Sequence, residues 1–541
     1  AMPSLPKGRT LQEFQPLRLA EAKILHAVAA GEYANIGESR PEPQSHACAV
    51  RAEFLRFLAL GGDENAPVHE QGIIVQGAWI TGTLDLMFAE IRVPLMLVDC
   101  RFEAAPVLYG TQFHGLFSLH GSCVPGLDAD GLQCHAGMHM KSGFEALGEV
   151  RLPGAKIGGD LVCSGGRFEN PNGYALNADR ITVSGAVLLN NGFQAQGEVR
   201  LYGAKIGGNL DCSGGQFENP KGYAISAESM SVFGTFYFRG VKIKGGTVNL
   251  AFAHVTRLID DLQSWPHGIV LDGFVYDTFR SALQSQANAT SAPTQAKERL
   301  EWLDKQSSEH SGKAKKSREF RPQPWQQLRK VLQDDGHYED ARRVAIAFEK
   351  RKWECGVIGE ISPRAESNFI VSAFDWLRSR ATRFFHALYG GIIGYGYRPL
   401  RLLGIVVMFW ILSATVFHYA AQNNLFVPSD PAHIGLLEKP AFDACNPEKT
   451  PSGNWTSCTT LPPDYPSFYS PVYALDVMLP ITKLGQEDHW TLIDPRKAKT
   501  TCARALAWFT QIWAWIGTLF SWGVGAMLLA TFTNLPKRQD E

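Results

Sequence analysis

Along the chain the apolar positions change period several times. From Leu17 to Ala30 and from Ala49 to Leu60 they recur every three or four residues, which predicts two amphipathic helices. Val50, Phe54, Phe57 and Leu58 share one face of the second, and Gly31 and Gly61 are placed as C-caps. Between residues 71 and 258 the runs shorten into alternating, β-rich pieces separated by glycine corners. Here Gly148 to Phe168, GEVRLPGAKIGGDLVCSGGRF, returns as Gly197 to Phe217, GEVRLYGAKIGGNLDCSGGQF, at an offset of 49 residues. Phe117, Met138, Leu161, Val187, Leu210 and Phe236 fall in register at spacings of 21, 23, 26, 23 and 26 residues, so the repeat holds two coils of about 24. Units this short must stack to bury their apolar face, and the pattern predicts a parallel β-solenoid of pentapeptide-like coils, with residues 1–70 as its helical cap.

Stacked coils bring equivalent residues into ladders, which accounts for residues that otherwise suggest chemistry. Cys134, Cys163 and Cys212 fall on the apolar face, where cysteine packs as a small hydrophobe. His114 and His135 occupy equivalent positions of neighbouring coils, and His139 is expected to share a ladder with Asp85, Ser118 and Asp211. An outward histidine ladder reads as a solvated face, with metal binding as the alternative.

From 259 to 360 the period becomes helical, interrupted by a Gln/Ala/Ser-rich stretch and a basic string that read as a mobile loop over 284–319. Trp325, Leu328, Val331 and Leu332, then Gly336, then Tyr338, Ala341, Val344, Ala345 and Phe348 predict a helical hairpin. Residues 297–353 carry 15 basic and 10 acidic side chains, a net of +5. A solvated, salt-bridged face is one reading. The other is an anionic partner, such as lipid headgroups, a nucleotide or an oligonucleotide, met by Lys313, Lys315, Lys316, Arg318 and Arg321.

Leu402 to Ala421 and Ala505 to Thr533 are apolar runs of 20 and 29 residues, each long enough to cross a hydrocarbon core of ~30 Å. Arg378, Arg380, Arg383, Arg398 and Arg401 crowd the juxtamembrane segment 361–401, and Lys537 and Arg538 follow the second span. The positive-inside rule then predicts a bacterial inner-membrane hairpin with both ends cytoplasmic and the loop 422–500 periplasmic. That loop has 9 acidic and 6 basic residues, although Arg496, Lys497, Lys499 and Arg504 pull the other way. No signal peptide is expected, because the N-terminus lacks a basic region followed by an apolar one. In an oxidising compartment Cys445 and Cys458 are expected to form a disulfide.

Ser467 to Gly485, SFYSPVYALDVMLPITKLG, is too short to cross as a helix, and 467–488 reads as a re-entrant segment. Thr482, Gln486, Glu487 and Asp488 are candidate pore-lining residues, and rings of carboxylates favour cations, with Lys483 opposing them. Gly517, Ser521 and Gly525 form a small-residue stripe for helix packing, within the chain or between copies. The order of span, short segment and span over 402–533 resembles the two-helix pore module of potassium channels. The TVGYG filter of those channels is absent from the short segment, and Gly394 to Gly396, GYG, precedes the first span as a turn.

A second resemblance covers nearly the whole chain. VRAEFLRFLALGGD (50–63), GAWITGTLDL (77–86), WPHGIVLDGFVYD (265–277), FRPQPWQQLRKVLQDDGHYEDARRVAI (320–346), GYGYRP (394–399) and YALDVMLPITKLGQ (473–486) resemble bacterial membrane proteins with pentapeptide-like repeats, often labelled membrane-associated oxidoreductases. No Rossmann GxGxxG, Walker loop or HExxH accompanies that label here, so no enzyme, cofactor or metal is expected. The first functional expectation is an oligomeric pore, an effector of stress or phage defence, controlled by a cytoplasmic solenoid that receives an anionic ligand or a regulatory protein. The alternative is a non-catalytic, membrane-anchored scaffold.

Composition adjusts this picture in three ways. The balance of 52 Lys+Arg against 53 Asp+Glu combines a solenoid at -1, a basic helical region and an acidic outer loop. A mean hydropathy of -0.12 excludes a polytopic protein and leaves room for a two-span one. The 52 glycines belong largely to solenoid corners.

Overall fold

Apolar residues in every coil, with small residues at the corners, produce a stack in which each short strand pairs with its counterpart in the next coil. The computed structural model describes residues 8–279, 292–306, 320–359, 369–398, 400–429, 443–450, 452–459, 461, 465–479, 483–498 and 500–539. They divide into two compact units, 1–360 and 361–541.

The first unit is a parallel β-solenoid of about 9 turns. Its strands, mostly two to four residues long, run in one 17-stranded and one 13-stranded sheet, all pairings parallel. The expected register holds: Phe117 pairs with Met138, Met138 with Leu161, Leu161 with Val187, Val187 with Leu210 and Leu210 with Phe236. Inside the coils Phe144, Phe168, Phe193 and Phe217 stack with ring centroids 5.3, 5.1 and 5.5 Å apart. At some of the corners there is no room for a side chain. A Cβ on Gly158 would lie 2.2 Å from the His135 carbonyl, and one on Gly207 2.3 Å from that of Ser184.

Both ends of the solenoid depart from the expected boundaries. Ala34–Asn35 and Ala49–Arg51 already pair with the strands at Ile73–Gln76 and Trp79–Thr81, so the sheets begin inside the segment assigned to the cap. Ala49–Arg51 is therefore strand, and the second helix, α2, is Ala52–Ala59, preceded by α1 at Leu19–Ala30. Val50 matches the helix face in sequence but sits in the strand, as buried as Phe54, Phe57 and Leu58. At the other end, Val275–Thr278 adds a strand beyond 258.

Glu21 on α1 is buried and locks this cap. Its carboxylate accepts hydrogen bonds from the Arg51 backbone N–H (3.0 Å), Arg51 Nε (2.8 Å) and Nη2 (2.5 Å), and the Arg18 N–H (2.9 Å). Burial alone raises a carboxyl pKa, but these donors and the Arg51 charge hold Glu21 below its ordinary 4.5. Because the folded value is the lower one, its stabilisation is complete above the ordinary glutamate value and is lost as pH falls through the depressed value. Amide exchange in α1 is expected to be flat with pH from neutrality down to about 5, then to accelerate below it once corrected for intrinsic rates. Glu21→Gln should remove that acid-dependent step.

Three helices close the far end: α3 (Ala296–Leu303), α4 (Gln323–Asp334) and α5 (Tyr338–Glu354). The expected hairpin is α4 and α5, turning at Gly336, and all the named apolar positions except Tyr338, which is exposed, are buried. Within the stretch expected to be mobile, 284–319, α3 is ordered and anchored: Arg299 and Asp260, each 1% exposed, form a bidentate pair at 2.7 and 2.8 Å.

The second unit contains α6 (Phe369–Ile393), α7 (Leu400–Gln422), α8 (Ser470–Met478), α9 (Gln486–His489) and α10 (Thr501–Gln539). α7 and residues Thr501–Leu529 of α10 are long and apolar enough to cross a membrane. Only 17% and 11% of their most apolar windows are buried, so neither is the core helix of a globular domain. Between α6 and α7 the GYG sequence forms a single 3-10 turn with Tyr395 left-handed at φ 57°, as expected of a turn.

Candidate functional site

α7 and α10 meet through aromatic and small residues. Phe409 stacks on Trp513 and Phe520 at 5.4 and 4.2 Å, and Trp513 Nε1 donates to the buried Ser413 hydroxyl at 3.1 Å. Against this pair lies α8, nine residues long. Trp410 Nε1 donates to the Pro471 carbonyl at 2.9 Å, and Phe417 meets Tyr473 edge to face at 5.0 Å. Its far end reaches α10, where the Ser521 hydroxyl donates to the Met478 carbonyl.

Asp476 governs the path of the chain beyond α8. The side chain is only 4% exposed. One carboxylate oxygen accepts from the N–H of Leu484, and the other from Gln486 and Glu487, all at 2.8 Å. A carboxylate with three backbone donors is strongly held, so the chain leaving α8 at Leu479 must return to within a few ångströms of it by Leu484. Gly485 makes that reversal at φ 82°, and Gln486 ties it to the residues just before α8: its Oε1 accepts from the Tyr469 N–H and its Nε2 donates to the Ser467 carbonyl, both at 3.0 Å.

The rest of the loop between α7 and α10 contains a small folded cap. Phe426–Pro428 pairs antiparallel with Trp490–Leu492, and Trp490, fully buried, donates to the Pro466 carbonyl at 3.0 Å. Cys445 and Cys458 are joined in a disulfide, as expected, with Cα atoms 5.5 Å apart. The amide of Asn454 donates to the Ala421 carbonyl at 2.9 Å and so covers the end of α7.

The pore candidates are distributed unevenly. Thr482 lies outside the described residues. Glu487 and Asp488 are exposed beside one another on α9, with Asp488 paired to Lys483 at 3.2 Å. Gln486 is 6% exposed and its amide is occupied by the loop, so in this chain it shapes the segment and presents no free side chain. Of the small-residue stripe, Gly517 and Ser521 face α8, since a Cβ on Gly517 would touch Val477 at 3.4 Å, whereas one on Gly525 meets nothing within 4 Å. Sequence reasoning missed Asp476, whose one signal was an acidic residue inside an apolar run.

The remaining candidates belong to the first unit. Arg321 is paired with Asp272 at 2.6 Å, while Lys313, Lys315, Lys316 and Arg318 lie outside the described residues. His114 and His135 stack at 4.9 Å, as the ladder requires, with His114 3.1 Å from Glu90 and His135 3.1 Å from the Phe113 carbonyl. His139 follows Ser118 and leads through Val162 and Leu188 to Asp211, but Asp85 is on another face, paired with Val107 in the ladder of Asp128 and Arg151. The string around Asp85 resembles that around Asp211 only because every face of the coil repeats a small residue followed by an apolar one. Cys134, Cys163 and Cys212 are buried, and burial pushes their thiols up, which makes them poor nucleophiles. No family model, curated protein or solved structure matches the chain.

Proposed function

We propose that α7, α8 and α10 form the pore module of a cation-conducting membrane protein, assembled from several copies and controlled by the solenoid unit on the cytoplasmic side. The observation that carries this reading is the short helix α8 set against both apolar helices. An anchor needs one span and no such insertion. In a bilayer crossed by α7 and α10, Ser521 is 16 residues into the apolar run that begins at Ala505, about 24 Å at 1.5 Å per residue, so the Met478 carbonyl bonded to it would still lie within a hydrocarbon core of ~30 Å. Irregular backbone is tolerated there where protein or a water-filled cavity surrounds it. The carbonyl end of α8 also presents the negative end of its dipole, which favours a cation, as do the exposed carboxylates of Glu487 and Asp488.

The test is flux. The full chain reconstituted in liposomes is expected to pass monovalent cations in preference to anions, and Glu487→Gln with Asp488→Asn is expected to reduce that preference. Absence of flux at every ligand condition tried, with a monomeric hairpin, would overturn the reading. The continuous outward ladders of the solenoid favour a second reading, a membrane-anchored scaffold. It predicts an unchanged cellular phenotype when residues 400–539 are exchanged for an unrelated anchor.

A further inference from the structure

The helix α6 carries a feature that the pore module does not use. Phe374, Leu377, Ala381, Phe384, Phe385 and Leu388 follow one another at steps of three, four, three, one and three residues, which places them on one helical face. In a water-soluble helix this face is buried. Here Phe374 is 66% exposed, Leu377 60%, Phe384 63% and Phe385 63%. The opposite face is polar, with Asp375, Ser379, Thr382 and His386. Arg378 borders the apolar stripe on one side and Arg380 on the other, with Arg380 stacked over Trp376 at 5.4 Å. Asp375 is the one acidic residue of the helix.

The chain after α6 is shaped to change direction. Tyr395, left-handed, folds back on the last turns of α6, where its ring stacks on His386 at 4.7 Å and fits over Gly390, whose Cβ would lie 2.3 Å from it. The helix axis is broken there, and α7 starts afresh at Leu400. An apolar stripe bordered by arginines, joined through a tight turn to a helix able to cross a bilayer, suits a helix lying in the membrane interface, where aromatic and aliphatic side chains enter the acyl boundary and cations meet phosphate headgroups.

We propose that α6 lies in the plane of the membrane surface, with its Phe374–Phe385 face in lipid and its arginines on anionic headgroups. The bilayer is favoured over a protein partner by the charge of the flanks and by the direct continuity of α6 with α7. The proposal rests on α7 being in the membrane, so the experiment reports on both.

The test is photocrosslinking of the full chain in vesicles of phosphatidylcholine with a minority of phosphatidylglycerol, with p-benzoylphenylalanine placed singly at Phe374, Phe385, Thr382 or, as the reference on α7, Leu412. Lipid adducts are expected at Phe374, Phe385 and Leu412 and not at Thr382. Phosphatidylglycerol should be enriched in the α6 adducts about fivefold over its share of the vesicle, the factor that one favourable arginine contact contributes. Arg378→Gln and Arg380→Gln combined should abolish that enrichment. Adducts to this chain or to a second copy at Phe374 and Phe385, equal lipid labelling at Thr382, or no adduct on α6 while Leu412 labels, would each overturn the proposal. Equal recovery of the two lipids would overturn the headgroup assignment. Failure at Leu412 as well would overturn the membrane reading itself.

Discussion

On the proposed pore reading, replacement of Asp476 by asparagine is expected to reduce cation flux through the reconstituted protein by about a hundredfold while leaving the disulfide-linked cap folded. The carboxylate is almost completely buried and accepts from three backbone N–H groups. An asparagine has the same shape but presents an NH2 where an acceptor is required. At least one of the three donors then faces a donor, and the charge that strengthened the others is gone. The loss of charge-assisted bonds at a buried site is about 3 kcal/mol, which is roughly a hundredfold in the population of the pinned segment. Asp476→Glu keeps the charge and lengthens the side chain, so it should retain more flux than the asparagine variant. The Cys445–Cys458 disulfide supplies the control. It should still form, as read by the absence of free thiol at those positions, because neither the strand pair at Phe426–Pro428 nor the Trp490 anchor is hydrogen-bonded to Asp476. Wild-type flux from the asparagine variant would show that the returned segment has no part in conduction.

How far the sequence foretold this arrangement depends on the length over which each signal repeats. The solenoid register was legible because six coils repeat the same apolar position, and Phe117 to Phe236 align in space as their spacing requires. Its first coil was not, since Ala34–Asn35 is a two-residue strand and Val50 suits a helix face as well as a strand. Asp85 shows a different weakness: local sequence identifies a corner but not which of several similar faces it begins, and a residue moved to the next ladder has different neighbours. In the second unit the apolar lengths marked the spans, and the short segment at 467–485 was visible as too short to cross. What that segment packs against on α7 depended on Trp410, a residue with no periodic signature, whereas its contact on α10, Ser521, belongs to the small-residue stripe.

Arg299→Ala is expected to destabilise the junction between the last coil and the helical cap by about 3 to 5 kcal/mol, the range for removing one partner of a buried ion pair. In the wild type Arg299 gives two bonds to Asp260, donates from Nε to the Pro293 carbonyl at 2.7 Å and lies 3.8 Å over the Phe279 ring. The Asp260 carboxylate also accepts from Trp265 Nε1 at 2.7 Å. Without the guanidinium this buried carboxylate would lose its bidentate partner and keep the neutral indole donor, beside Tyr276 and Trp302 in an aromatic cluster that cannot solvate it. The expected readout is hydrogen exchange on the full chain in detergent, with protection lost over His254–Asp260, Val275–Thr278 and Ala296–Leu303 and kept at Phe117–Ser118 and Met138–His139. Uncapping also exposes the final strand as an edge, so the variant should aggregate at lower concentration than the wild type. Arg299→Met with Asp260→Asn separates charge from packing. That pair leaves no buried ion, and it should recover part of the lost protection even though every bond between the two positions is gone. If Arg299→Ala and the double variant lose the same protection, the junction depends on the contacts of the arginine stem, and the buried charge is incidental.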